Sequence, residues 1–262
     1  MGLKRGIIIC SFGARDLMLH TLLKTLYRNG NYGNSEVYLI SDKLRDPLKL
    51  PIKDIVQRKL GEEDFEWKDH SRWPIRNTNL WLAKAALWER FESVCLLNDD
   101  MAIVHKGFID GFNLAEKFGV CVPMNPRVYV KYNAMGADTI EEDRRETDKG
   151  PIYGTACNVS PMFVCRLHDH AKLLIETYIE ELHNCMRGTL AFWFASWRSG
   201  VTPMYLPEQW CVGASNALYF KNYTKVLQGQ KKQIEPMVLH WGQAGVRAVF
   251  KDIVDGMDKD RT

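Results

Sequence analysis

The sequence predicts one α/β domain, a mostly parallel sheet flanked by helices, on three observations. Short β-rich runs alternate with segments of helical periodicity through the first half, the pattern that gives a parallel sheet with helices packed on it. The 262 residues, 46% hydrophobic and 11% aromatic, suffice for one substantial core near the upper size of a single domain. A strand of buried type also runs straight into Asn98-Asp99-Asp100. Open α/β sheets place their ligands at such carboxyl ends.

Taken in order, Arg5 to Ser11 reads as a strand. Arg15 to Arg28 follows with Leu17, Leu19, Leu22, Leu23 and Leu26 at helical spacing, closed by Asn29-Gly30. Glu36 to Ser41 is the second strand, ending at Asp42. A charged, Pro-containing connection covers Lys43 to Pro74 and holds a short strand or helix near Ile52 to Arg58. Asn77 to Phe91 reads as a helix, with Leu80, Ala83, Lys84, Leu87 and Phe91 near one stripe. Ser93 to Leu97 is the strand that meets the acidic triplet, and apolar character resumes at Met101 to Val104. Gly119 to Pro123 is a further strand, and Asn133 to Gly150, polar and charged, reads as a loop over the site. Ile152 to Arg166 holds a strand pair or one bent strand. Asp169 to Arg187 is an amphipathic helix, begun by its Asp cap and stopped by Gly188. Gly188 to Trp197 is a buried helix or interfacial segment, and Met237 to His240 is a last strand.

Composition excludes several classes. Charged residues make up 26% of the chain and the formal net charge is +3, unlike a protein that coats nucleic acid. The apolar run Ile7-Ile8-Ile9-Cys10 is too short for a signal-peptide core or a membrane span. No transmembrane segment is expected, and the expected compartment is the cytoplasm. The 7 cysteines are scattered without a Cys-x-x-Cys pair, which suits free thiols in a reducing compartment. Cys165, His168 and His170 could be a zinc half-site, but a helix start at Asp169 accounts for them better. Neither a Gly-x-Gly-x-x-Gly nor a Walker sequence occurs, which weighs against dehydrogenases and kinases.

Asn98-Asp99-Asp100 offers oxygen ligands at the end of a rigid strand, a cradle for a hard divalent cation that could bridge a diphosphate. The same triplet also suits a plain turn. His240, in Met237-Val238-Leu239-His240-Trp241-Gly242, could complete such a shell as a neutral imidazole or be a core residue. Lys221, Lys225, Lys231 and Lys232, interleaved with Tyr219, Phe220 and Tyr223, form a solvated surface or a path for nucleic acid.

The order and spacing of these segments resemble the glycogenin-like and lipopolysaccharide galactosyltransferase-like group of GT-A glycosyltransferases over most of the chain. In that group a strand ends in Asp-x-Asp, which binds manganese and the donor diphosphate, and Asn98-Asp99-Asp100 occupies that place. Asn98 stands where the group has its first Asp, so the resemblance puts main metal ligation on Asp100, with Asn98 a weaker ligand or ribose contact. His240-Trp241-Gly242 is similar to the group's His-aromatic-x-Gly ligand segment, one residue shorter, and Arg247 corresponds to the basic residue after it.

The resemblance further implies that Lys84 meets donor phosphates or sugar and that Asn158 holds the transferred sugar. It sets Glu208 and Gln209 beside the anomeric carbon, implying retention of configuration. The nucleotide base is expected over Ser11, Phe12 and Gly13, with Asp42 near. Residues 1–104 form the nucleotide-binding half and 105–262 the acceptor-binding half. The implied cofactor is Mn2+ or Mg2+, the donor a nucleotide sugar such as a UDP-sugar, and the acceptor a glycan or a hydroxylated base in DNA. The oligomeric state is left open. The alternative is a catalytically inactive GT-A-like nucleotide-sugar binder, suggested by Asn98 and by the absence of the group's glycine after Asn158.

Overall fold

Strand β1 (Arg5–Ser11) is the axis of the molecule, buried from Gly6 onward. In the computed structural model it pairs in parallel with β2 (Glu36–Ser41) from Gly6↔Glu36 to Ser11↔Ser41. On its other side it pairs in parallel with β4 (Ser93–Asn98), ending at Cys10↔Asn98. The structure describes residues 3–13, 15–29, 32, 34–68, 73–124, 159–184, 188–207, 210–213 and 238–240.

Strand β3 (Val56–Lys59) extends the sheet beyond β2. Past β4 lie β7 (Met162–Cys165), β6 (Val120–Pro123) and β8 (Met204–Leu206), giving the seven-stranded order β3-β2-β1-β4-β7-β6-β8. β7 is antiparallel to both neighbours, while β6 and β8 are parallel to each other. The sheet is thus mostly parallel with one reversed strand. A smaller sheet has the order β5-β10-β9, formed by β5 (Met101–Ile103), β10 (Val238–His240) and β9 (Val212–Gly213).

Period-two alternation along β1 divides the interior into two cores, one on each face of the large sheet. Ile8 and Cys10 point to the face covered by α2 (Trp73–Ala86), α4 (Asp169–Asn184) and α5 (Gly188–Ser199). Ile7 and Ile9 point to the other, where they meet Leu19, Leu22 and Leu26 of α1 (Asp16–Asn29) and Phe112 of α3 (Asp110–Phe118). Each fully buried Ile or Leu contributes about 1.5–3 kcal/mol relative to exposure. The apolar runs of β1 and β4 are therefore central strands covered on both faces.

Several elements differ from the sequence reading. The helix predicted from Asn77 to Phe91 begins at Trp73, because Pro74 sits in its first turn, where a missing amide costs nothing. It ends at Ala86, and a turn with Phe91 N–H donating to Trp88 O leads into β4. Met101–Ile103 does not continue β4 but starts the second sheet. Helix α3 was not foreseen. Its C-terminal carbonyls of Glu116 and Phe118 are engaged by the imidazoles of His168 and His170 at 2.9 and 3.2 Å. That contact explains the His pair without zinc. The predicted helix after Asp169 ends at Asn184, and a second helix opens at Gly188. The loop read over Asn133 to Gly150 lies outside the described residues.

The described cysteines, Cys10, Cys95, Cys121, Cys165 and Cys211, are free and buried. Among the described residues no helix is long and apolar enough to cross a membrane.

Candidate active site at the carboxyl ends of the parallel strands

The parallel registers bring three chain turns to one edge. Ser11 ends β1 beside Ser41 of β2, and Asn98 ends β4 beside Cys10. Gly13 turns with φ +77°, a conformation that favours glycine, and its amide donates to Asp42 Oδ2 at 2.8 Å. The Ser11 hydroxyl is buried and accepts from Arg45 Nη2 at 3.3 Å. Phe12 turns inward: its ring is buried and packs edge-on to Phe65 at 5.2 Å. The Phe12 ring is thus a core group, and what Phe12 presents at this edge is its backbone.

Asn98 is fixed from the reversed strand's side. Its amide donates to Ser160 Oγ at 2.8 Å, and Ser160 in turn donates to Leu96 O at 3.3 Å. The next two carboxylates meet Arg15. Arg15 Nη1 donates to Asp99 Oδ1 at 2.6 Å and Nη2 to Asp100 Oδ2 at 3.4 Å. The Asp99 side chain is only 1% exposed. Burial pushes the Asp99 carboxyl up to about 7, with Arg15 opposing and Asp100 adding to the rise. Burial and the charge of Asp99 also push the Cys10 thiol well above its ordinary range.

His240 reaches this edge through the smaller sheet. Strand β10 runs antiparallel to β5 with His240↔Met101, so the His240 backbone lies opposite the residue that follows Asp100. A separation of 139 positions in sequence, 240 less 101, closes to adjacency across one strand pair. Lys84 is not in this group. It lies in the last turn of α2, its amine 2.8 Å from Glu66 Oε1. Asn158, Glu208, Gln209 and Arg247 lie outside the described residues.

Asn98 Oδ1 and Asp99 Oδ2 are buried without a hydrogen-bond partner among the described residues. Orphaned buried oxygens beside two carboxylates suit an oxygen-seeking Mg2+ or Mn2+. Among the described residues, no cluster of three His, Cys, Asp or Glu side chains is assembled. The donors fit such an ion in type, and a full shell needs a ligand from beyond them.

Arg15, Arg45 and Ser160 were missed from sequence. Arg15 left one signal: a cation at a helix start opposes the helix dipole, so another partner had to be sought for it. Arg45 and Ser160 left none, because their partners lie 34 and 62 positions away.

This arrangement, a mostly parallel sheet with β7 reversed and an acidic turn after β4, is the fold of the GT-A glycosyltransferases. Among solved structures the chain is similar to the galactosyltransferase LgtC in complex with donor and acceptor sugar analogs, with TM-score 0.62 and 11% identity. That match covers 98% of this chain and 96% of that one. It is also similar to mouse xyloside xylosyltransferase 1, with TM-score 0.59, 11% identity and coverage of 92% and 98%. The glycosyltransferase GlyE of Streptococcus pneumoniae matches with TM-score 0.53 and 13% identity, over 98% of this chain and 64% of that one. By sequence, no family model and no curated protein matches.

Proposed function

We propose that this chain is a glycosyltransferase that moves a sugar from a nucleoside diphosphate donor, UDP-linked, to an acceptor hydroxyl. One observation carries the reading: in a GT-A fold, His240 is in register beside the turn that holds Asp99 and Asp100. The backbone at Ser11, Phe12 and Gly13, with Asp42, receives the nucleotide, and residues 1–104 form the donor half. Asp100 and His240, with Asn98, hold Mn2+ or Mg2+. When bound, the ion acts as a Lewis acid on the leaving diphosphate.

The chain's own groups do the remaining work. Arg15 and Arg45 supply positive charge near the phosphates, a role the sequence reading assigned to Lys84 and Arg247. Lys84 reaches a donor only by leaving Glu66. Asn158 holds the transferred sugar, and Glu208 or Gln209 lies beside its reacting carbon, with retention of configuration. The acceptor is a carbohydrate hydroxyl received by residues 105–262. The basic stretch that suggested a modified-DNA acceptor lies outside the described residues, and no described group supports it.

The test is a screen of nucleotide sugars with Mn2+, read as nucleoside diphosphate release and by mass spectrometry of the product. Asp100→Ala and His240→Ala should each lower turnover by about 100-fold or more. Full metal-dependent transfer by both variants would sink the assignment. A second reading, a nucleotide-sugar binder without turnover, is favoured by Asn98 and by the Arg15 contacts to both carboxylates. Calorimetry decides it: UDP binding without hydrolysis or transfer of any donor supports the binder.

A further inference from the structure

The acidic pair already has a cation built into the chain. Among the described residues, the ion pair of Asp99 is with Arg15, whose planar fork also spans to Asp100. Such a fork satisfies two carboxylates at once, which the point charge of lysine does not. A carboxylate as buried as Asp99 is strongly unfavourable as an anion unless paired.

The position of Arg15 is held by structure on both sides. Its amide donates to Gly13 O and its carbonyl accepts from Leu19 N–H, both at 3.0 Å, so it sits at the opening of α1. Helix α1 is joined to the strand that follows the acids: Ile103 N–H donates to Thr25 Oγ1 at 3.0 Å, and Asn29 Nδ2 donates to Ile103 O at 2.9 Å. The helix that carries Arg15 and the turn that carries Asp99 and Asp100 therefore hold together as one unit. At the helix opening, the dipole disfavours a cation. The carboxylates across the turn supply the compensating attraction.

We propose that Arg15, anchored on Asp99, is a resident counter-cation that competes with a divalent metal for Asp100. Metal binding without nucleotide is then weak, and it tightens when a diphosphate takes over the Arg15 guanidinium. The inference rests on the metal site proposed above and goes beyond it, because it sets the order of events: metal and diphosphate bind together rather than metal first. Two cations on one carboxylate pair repel, and this repulsion is the energetic link between the metal and Arg15. A diphosphate relieves it by giving Arg15 anionic oxygens of its own.

The experiment measures Mn2+ affinity from the spectrum of free Mn2+ by electron paramagnetic resonance, with and without UDP. It compares the wild-type chain with Arg15→Gln and Arg15→Lys. Removing the competitor in Arg15→Gln should tighten Mn2+ binding without nucleotide by roughly tenfold, within the usual range of coupling between two bound groups. It should also shrink the tightening that UDP brings. Arg15→Lys keeps the charge and loses the fork, so its affinity should fall between the two, and it serves if Arg15→Gln does not fold. Equal or weaker Mn2+ binding in both variants overturns the competition, as does an absence of Mn2+ binding in all three chains. Turnover of a donor by wild type with unchanged Mn2+ affinity in the variants overturns the competition alone. Tighter Mn2+ binding in the variants with no turnover of any donor supports the competition and removes the transferase reading.

Discussion

The Gly13 amide donates to Asp42 Oδ2 at 2.8 Å, which ties the turn after β1 to the turn after β2. Two strand ends that only backbone pairing aligns are thereby locked beside Asn98, where a nucleotide is proposed to lie.

Asp42→Ala removes that acceptor from a turn with φ +77° at Gly13. Stability should fall by about 1–2 kcal/mol, the scale of one hydrogen bond to a charged acceptor at a partly exposed site. Urea denaturation measures the loss. UDP binding by the folded variant should weaken as well, because the turn is no longer held. Unchanged stability and unchanged UDP affinity would remove the role assigned to Asp42.

Asp99 makes stability depend on pH. Its carboxyl is raised from 3.8 to about 7, so across that window the folded chain binds a proton that the unfolded chain releases. Its contribution to stability is therefore greatest at low pH, declines as pH rises toward about 7 and is level above that. Subtracting the curve of Asp99→Asn from wild type in urea melts should expose a decline between about pH 4 and about pH 7. In Arg15→Gln the window should extend higher, because Arg15 opposes the rise. A flat difference curve would contradict the burial of the ionised group.

Ser160→Ala deprives the Asn98 amide of its acceptor and leaves Leu96 O without that donor. Ser160 is buried, so the expected cost is about 1–3 kcal/mol. Because Asn98 leads directly into Asp99, donor affinity should drop with stability. Calorimetry and urea denaturation on the same preparation separate the two effects.

Gly111→Ala tests packing in the aromatic cluster under α3. A Cβ there would come 2.3 Å from Phe163 Cζ, a ring held in turn by Phe108, Phe112 and Trp210. Helix propensity favours alanine by about 1 kcal/mol. Overpacking costs about 1–3 kcal/mol and is expected to win, since the buried ring is already packed by three aromatic neighbours. A stabilised variant would mean that the aromatic cluster yields.

Most of the N-terminal elements, from β1 to β4, were legible in the sequence because their signals are local. The runs Arg5 to Ser11 and Glu36 to Ser41 coincide with β1 and β2. The helical stripe read from Leu17 to Leu26 faces the core from Leu19 onward, while Leu17 at the first turn is exposed. The acidic triplet lies at the end of a central strand, as its apolar approach implied. Helix boundaries were less legible: Pro74 marks a helix start as readily as a loop, and only packing on β1 and β4 selects between them. Helix α3 is nine residues long and shows few periodic positions, so its amphipathic signal was too short to stand out.

What the sequence determined by itself is an α/β chain with carboxylates at the end of a buried strand, because period-two and helical patterns act over neighbours. Tertiary structure alone decided which groups share that edge. Parallel pairing brings Ser11, Ser41 and Asn98 together, and the antiparallel register of β10 on β5 brings His240 beside Met101. The Arg15 fork on Asp99 and Asp100 spans 84 and 85 positions. No local pattern encodes such a contact, which arises only when α1 docks against β5 and a buried carboxylate finds the cation it needs.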